Sequence, residues 1–545
     1  MLAFRDGVQR LSRERFDREL SELLRAARSS AAARLALLLR AGELESALED
    51  SGHAAAVRAR QLSDDAAQAF HTNSASPLAV WPCSRPLARL GAELPSELHL
   101  KRPEGYAYYA LQPTTYAQAL GPRHAAAGAV AVVGVRSIGT SLSALVLAAL
   151  RERAVQGERI TVRPTGHPWE RRLQPKGAFE AFVRRRQSAL YLVVDEGPGL
   201  SGSTFLAVAE ALERCGIARE RIELLCSHDP DPARLVAADG RRRWQRYRSI
   251  APPDPPQPAQ ALELSAGAWR SLVYSSRREW PACNTALERR KYRHPSGILL
   301  KFIGLPPYGE APLARGQRVA AAGFGPELIG QVDGYVAQRW IEGRPLRLPL
   351  HDPRHLQRLL DYLVFRSQQC RSEEGSVTPV QDMLRVNVAE ALGWELPRSL
   401  QLQLERPVYA DARLSPHEWI EGADGSILKV DASDHGDDHS LPGPCDSAWD
   451  IAGAILEWRL SPARTRELCG EYRRRTRDNV VPRLGAYLLA YAALGLGRAQ
   501  LALLSAAADE RPRLARASQA YAVALRRLAT INGWQGRSCA SSTCC

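Results

Sequence analysis

Two adjacent carboxylates stop an aliphatic run in LYLVVDEGPGLSGSTF, residues 190–205. Asp195 and Glu196 follow the run directly, and Gly199, Ser201, Gly202, Ser203 and Thr204 lead toward the helix-like LAVAEALERCG. Carboxylates at a strand end can accept hydrogen bonds from vicinal sugar hydroxyls, while a small-residue loop at a helix start turns backbone N–H groups and hydroxyls toward a phosphate. The plainer alternative is that the acids cap the next helix and the loop is a turn. Upstream, VAVVGVRSIGTSLSALVLAAL reads as strand, tight loop and helix. Its loop holds Arg136, Ser137, Gly139 and Thr140, and Gly139 permits a positive φ or a close approach.

A second group of polar residues lies past residue 263. LERRKYRHPSGILLKFIGL reads as a hairpin turning at Pro-Ser-Gly, with Lys301 near the end of its second strand. FGPELIGQVDGYVAQRWIEGRPL gives a further strand pair leading to Glu342 and Gly343. VYADARLSPHEWIEGADGSILKVDASDHGDDH then places Asp411 after a strand, a hairpin turn at Asp424 and Gly425, and Asp431 at its far end. The acids of DASDHGDDH, with His435 and His439, could hold a metal or form a solvated acidic loop.

The first two motifs, over about residues 130–230, resemble the phosphoribosyltransferase family, whose signature is an aliphatic strand, two acids and a Thr-Gly-x-Thr type loop for 5-phosphoribosyl 1-pyrophosphate (PRPP). The resemblance implies an α/β parallel-sheet domain and Mg²⁺-assisted displacement of pyrophosphate at the anomeric carbon. Asp195 and Glu196 would then favour positive charge on the ribose, and Arg136 would assist the departing pyrophosphate. Ser137, Gly139 and Thr140 would face the leaving group, and Gly199, Ser201, Gly202, Ser203 and Thr204 would hold the 5-phosphate. The loop is one residue longer than the family pattern, and its second acid is Glu rather than Asp. Between the motifs, His167, Arg171 and Arg172 either reach the pyrophosphate or are solvated. The aromatic residues of LKRPEGYAYYALQPTTYAQAL either stack on an acceptor base or pack in the core.

The second group, over about residues 280–500, resembles the aminoglycoside phosphotransferase and choline kinase group of the protein-kinase-like fold. This implies an α+β two-lobed kinase-like domain using ATP and Mg²⁺. Lys301 would hold phosphates, Asp411 would serve the acceptor hydroxyl, Asp431 would bind metal, and Asp450 in CDSAWDIAGAILEW would brace the catalytic loop. The family loop has His before its Asp and Asn five residues after it. Here Ala410 precedes Asp411 and Pro416 takes the Asn position, with Glu418 as the substitute metal ligand. No glycine-rich loop precedes Lys301.

The elements that must position these residues are legible in outline. Between 100 and 247 short aliphatic runs alternate with helical segments, the pattern of a parallel sheet wrapped by helices. RSIAPPDPPQPAQAL, with five prolines, marks a boundary. The expected division is a helical segment at 1–60, a phosphoribosyltransferase-like domain at 61–247, a linker at 248–262, a kinase-like domain at 263–535 and a flexible tail at 536–545. A chain of 545 residues can bury a core in each domain. Arg34 and Arg40 interrupt the apolar N-terminal stretch, and nothing reaches the roughly 18 unbroken apolar residues of a spanning helix, so no membrane partner is expected. Ten scattered cysteines without a CxxC pair read as reduced cysteines of a cytoplasmic protein, and those of GRSCASSTCC as part of a frayed terminus. The net charge of +14 points toward nucleic acid, but the basic residues are spread through every region without interleaved stacking aromatics.

The expected function is therefore a bifunctional transferase of nucleotide-like metabolism, acting on small molecules. One domain transfers phosphoribosyl from PRPP to an acceptor, and the other phosphorylates a related molecule with ATP. Two alternatives stay open, a regulatory protein that senses PRPP or nucleotides without turnover, and an RNA-binding protein relying on its positive charge. The sequence leaves the acceptor and self-association into a homo-oligomer undecided.

Overall fold

A strand that is apolar throughout needs cover on both faces, which a parallel sheet with helical crossovers supplies. The computed structural model describes residues 2, 7–78, 90–373, 375–433, 435, 436, 438 and 440–534. The tail expected at 536–545, and His439, lie outside them. The chain divides into two compact units, one over Gly7–Gln257 with Leu305–Pro307, the other chiefly over Pro258–Gly304 and from Tyr308 onward.

In the first unit, β1 (Ala129–Val135), β2 (Gln156–Val162), β3 (Leu190–Val194), β4 (Ile222–Leu225) and β5 (Arg248–Ile250) form a five-stranded parallel sheet in the order β2-β1-β3-β4-β5. All five residues of β3 are buried, and Val133 of β1 pairs with Val193 on one side and Ile160 on the other. Helices α1 (Arg13–Ala26), α2 (Ala31–Asp50), α3 (Ala56–His71), α4 (Ile138–Glu152) and α5 (Ser203–Arg214) belong to the same unit. The division expected at residue 60 falls inside α3, and the N-terminal helices share a core with Ala144 and Ala148 of α4. Gly42 permits the approach of α2 to α4, because a Cβ there would lie 3.0 Å from the Cβ of Ser141. The expected linker at 248–262 begins with β5, whose place at the sheet edge tolerates the prolines that follow.

A buried ion network joins the N-terminal helices to the sheet. Arg159 of β2 is bidentate to Glu45 of α2, with Nη1 and Nη2 at 2.8 and 2.7 Å from the carboxylate oxygens, and its Nε donates to Asp64 of α3. The Arg159 and Glu45 side chains are 1% and 0% exposed, so neither charge has water to fall back on.

The second unit opens with β6 (Leu262–Glu263), β7 (Lys291–His294), β8 (Ile298–Phe302), β9 (Leu328–Val332) and β10 (Tyr335–Arg339) in an antiparallel sheet of order β6-β7-β8-β10-β9, with α6 (Glu310–Ala321) between β8 and β9 in the chain. The rest is mostly helical. It holds helices α7 (Pro353–Gln369), α8 (Thr378–Leu392), α9 (Ala448–Glu457), α10 (Val481–Ser505) and α11 (Arg511–Ile531), an antiparallel pair of β11 (Pro407–Tyr409) with β14 (Pro444–Asp446), and a small antiparallel sheet in which β12 (Trp419–Glu421) pairs with β13 (Ile427–Lys429) and with Arg344–Pro345. Trp419, Trp449, Tyr362 and Tyr487 are fully buried in its core. By length and composition α10 is long and apolar enough to cross a membrane. In this unit it packs against α8, α9 and α11.

Replacing Arg159 with Met leaves the buried Glu45 facing the more distant Arg60 guanidinium, at 3.8 Å, in place of its bidentate partner. The expected cost is about 3 kcal/mol of stability, read as a lower urea midpoint for the transition of the first unit by circular dichroism.

Candidate functional site

The carboxyl end of β3 carries Asp195 and Glu196 as the sequence suggests. Burial raises the Asp195 carboxyl to about 7, and burial together with the nearby charges of Asp195 and Glu104 raises that of Glu196 to about 8. The Glu196 N–H donates to Asp195 Oδ1 at 2.9 Å, and Gly105 approaches so closely that a Cβ there would lie 2.6 Å from the Glu196 carboxyl carbon. Of the aromatic segment, Tyr106, Tyr108 and Tyr116 are buried. The Tyr106 hydroxyl pairs with Ser141 Oγ at 2.8 Å, and that of Tyr116 donates to the Asp195 carbonyl at 3.0 Å. These rings close the strand end instead of presenting a stacking face.

The two loops spend much of their hydrogen bonding internally. Gly199 and Gly202 have φ of 63° and 65°, which glycine adopts without strain. Ser201 and Ser203, expected on a phosphate, donate their hydroxyls to the Pro168 carbonyl at 3.1 and 2.9 Å. They thereby brace the hairpin that holds His167, Arg171 and Arg172. Thr204 is half-buried in the first turn of α5. In the other loop, Arg136 does not point at a leaving group, because it pairs instead with Asp50 at 3.0 Å and Glu49 at 3.3 Å. The Ser137 N–H donates to Ser46 Oγ, and Thr140 is fully buried with its hydroxyl 2.8 Å from the same oxygen. At Gly139 close approach is what matters, since a Cβ would lie 2.4 Å from the Val194 carbonyl oxygen; the positive φ falls on Ser137, at 99°.

In the second unit a cavity of about 310 Å³ is lined by residues of the antiparallel sheet and of the helical part. Lys301 from β8, Lys291 from β7, and Glu418 and Asp431 flanking the β12–β13 hairpin line it together. Lys301 Nζ lies 2.8 Å from Asp431 Oδ1, and Lys291 Nζ 3.0 Å from Glu288 Oε1. Glu418 meets the buried Lys429 at 2.7 Å. Burial works against charge on both cavity acids, but Lys429 and His435 outweigh it for Glu418, and Lys301 and Lys291 for Asp431, so both carboxyls are held below their ordinary range. Burial also lowers the pKa of His417, leaving a neutral imidazole in the lining at pH 7. The two charged carboxylates are suitable hard oxygen donors for Mg²⁺.

Asp411 lies elsewhere than expected. It is fully buried, accepts from Tyr362, and sits 2.8 Å from His435 Nδ1 and 3.6 Å from Lys429 Nζ. Asp450 does brace the loop, its two oxygens accepting the Asp411 and Ala412 N–H groups at 2.8 and 2.9 Å. Of this loop Ala412, Arg413 and Ser415 line the cavity, and Arg413 is the charged one among them. Arg413 and Glu418 are five residues apart, and both line the cavity, as Asp411 and Pro416 do not. That spacing was visible in the sequence, but a search for a carboxylate passes over an arginine. Asp411, Glu418 and His435 also bring ligand atoms within 4.8 Å of one another, but the Lys429 ammonium already occupies their midst as the balancing cation.

No family model matches the chain, and no curated protein matches it. Among solved structures it is similar to the choline kinase LicA from Streptococcus pneumoniae, at 12% identity over 43% of this chain and 89% of that one, with a TM-score of 0.30. A choline/ethanolamine kinase family protein from Mesorhizobium loti is 14% identical over 44% of this chain and 90% of that one, TM-score 0.29. An ethanolamine kinase from Plasmodium vivax is 12% identical over 44% and 80%, TM-score 0.28.

Because the Asp195 and Glu196 carboxyls are raised above their unfolded values, their contribution to stability is fully present below about pH 4 and is lost as pH rises through about 7 to 8. The first unit is therefore expected to melt at a lower temperature at pH 8.5 than at pH 6. Glu196→Gln should flatten that dependence in a calorimetric pH series, and an equally steep slope in the variant would contradict the assignment.

Proposed function

We propose that the second unit is an ATP-dependent small-molecule phosphotransferase. The observation that carries the reading is the convergence of Lys301, Asp431 and Glu418 on one cavity, with both acids held ionised. Lys301 Nζ, now on Asp431, is placed to contact nucleotide phosphates, and Asp431 and Glu418 would hold Mg²⁺. Bound there, Mg²⁺ supplies charge neutralisation for the transferring phosphoryl group. Arg413 offers a fixed positive charge to that group, the role an arginine can take in phosphoryl transfer. The neutral His417 can accept the proton of the acceptor hydroxyl, a task the buried Asp411 is not placed to perform. One observation favours nucleotide sensing without turnover, namely the burial of Asp411 against Tyr362 and His435.

For the first unit the reading is a PRPP-binding, phosphoribosyl-transferring domain. It is supported by the two carboxylates at the end of β3, beside glycine turns that enter α5. The diol of a ribose and its Mg²⁺ would draw protons off Glu196, largely protonated near pH 7 without them, and off Asp195, about half protonated there.

Calorimetry should show binding of Mg-ATP that Asp431→Asn weakens by about tenfold or more. His417→Ala should reduce phosphate release or transfer by about a hundredfold while leaving binding intact. Binding with no turnover in the unmodified protein would establish the sensor reading, and unaltered binding by Asp431→Asn would remove both. Separately, PRPP with Mg²⁺ should bind with release of protons that disappears in Asp195→Asn with Glu196→Gln, and no heat at either pH 6 or pH 8 would remove the phosphoribosyl reading.

A further inference from the structure

Outside the cavity, one buried side chain of the second unit has no answer to its polar atoms. His355 in the first turn of α7 is 8% exposed, and neither ring nitrogen has a hydrogen-bond partner among the described residues. A buried imidazole left unpaired is costly, so an unanswered one calls for an occupant. Asp352 is the N-cap of the same helix, and the three-residue step to His355 puts both on one face. Glu421 of β12 comes against them, with Oε2 3.6 Å from His355 Nε2. One ligand atom from each of the three lies within 4.8 Å of the other two.

The 3.6 Å separation is too long for a hydrogen bond. It is close to the edge of a tetrahedron around an ion held at Zn²⁺ distances, roughly 3.4 Å. The two carboxylates are bridged by Arg354, at 2.7 Å from Asp352 and 3.0 Å from Glu421. Lys429, within the other group of two acids and a histidine, is fully buried, whereas Arg354 is 59% exposed on a long stem that can turn out to solvent. Arg354 balances one charge of two and leaves the imidazole unanswered. From this geometry we infer that Asp352, His355 and Glu421 form a site for a divalent transition-metal ion of the Zn²⁺ class, with water in the fourth position. An imidazole beside two carboxylates suits such an ion, whereas Mg²⁺ and Ca²⁺ prefer oxygen alone. None of the three residues lines the cavity, so this ion is distinct from the Mg²⁺ proposed there. By tying α7 to β12 it would brace the hairpin that Glu418 and Asp431 flank.

The test is calorimetry of the full chain, freed of metal by a chelator, with Zn²⁺ and with Co²⁺ as probes under excess Mg²⁺. The background carries Cys539→Ser, Cys544→Ser and Cys545→Ser, so that tail thiolates hold no ion. One equivalent should bind, with a Co²⁺ spectrum free of thiolate charge transfer. His355→Ala and Glu421→Gln should each weaken that ion about tenfold or more, while Asp431→Asn leaves it unaltered. Arg354→Ala should tighten it, because the guanidinium competes for the same oxygens. Zn²⁺ should raise the melting temperature of the parent chain and not that of His355→Ala. No binding under excess Mg²⁺, or binding that His355→Ala and Glu421→Gln leave intact, overturns the site. If His355→Ala fails to fold, Glu421→Gln and Asp352→Asn decide. An ion lost in Asp431→Asn but kept in His355→Ala belongs to the cavity and also overturns it.

Discussion

The buried carboxylate of Asp450 anchors the backbone at the start of the loop that follows β11. By accepting the N–H groups of both Asp411 and Ala412, it satisfies two backbone donors that have no strand partner and holds the turn rigid. With those amides tied down and Ala412 at φ 60°, Asp411 is directed into the core and Arg413 into the cavity. Burial and the neighbouring Asp411 charge raise the Asp450 carboxyl to about 6, so the brace itself carries an electrostatic cost. Arg366, which donates to the Tyr409 carbonyl from the same region, partly offsets it.

From this brace follows the unusual charge distribution of the second unit. Asp411, deprived of solvent, needs counter-charge and finds it in Lys429 and His435, which outweigh burial and hold its carboxyl below the usual range. Lys429 in turn takes Glu418, and the charged residue that the loop itself sends to the cavity is Arg413. On the reading proposed for this unit, Arg413 cannot remove a proton, and the lining offers the neutral His417 instead.

The first unit solves a different problem. Its sheet leaves two acids at a strand end, and the N-terminal helices are tied to that sheet through Arg159, Glu45 and Asp64. The same helices supply Glu49, Asp50 and Ser46 to the loop after β1. The Arg136 side chain, the Ser137 N–H and the Thr140 hydroxyl are thereby committed to protein partners, while burial keeps the Asp195 and Glu196 carboxyls raised at the sheet end.

Sequence alone determined the parallel sheet, because unbroken aliphatic runs separated by helical periods have few other stable arrangements. It also determined the hairpins that deliver Lys301 and Asp431, and the acids at the end of β3. It could not assign the partners of Arg136, Thr140 or Ser203, since each is met by a residue distant in the chain, Asp50, Ser46 and Pro168. The roles of Asp411 and Arg413 were likewise beyond it. They lie two residues apart with the same local signals, and which one faces core or cavity depends on where Asp450, 39 residues later, places its carboxylate. Hydrophobic period is a local property that the chain carries in its order, whereas the pairing of a buried charge is settled only when distant segments meet.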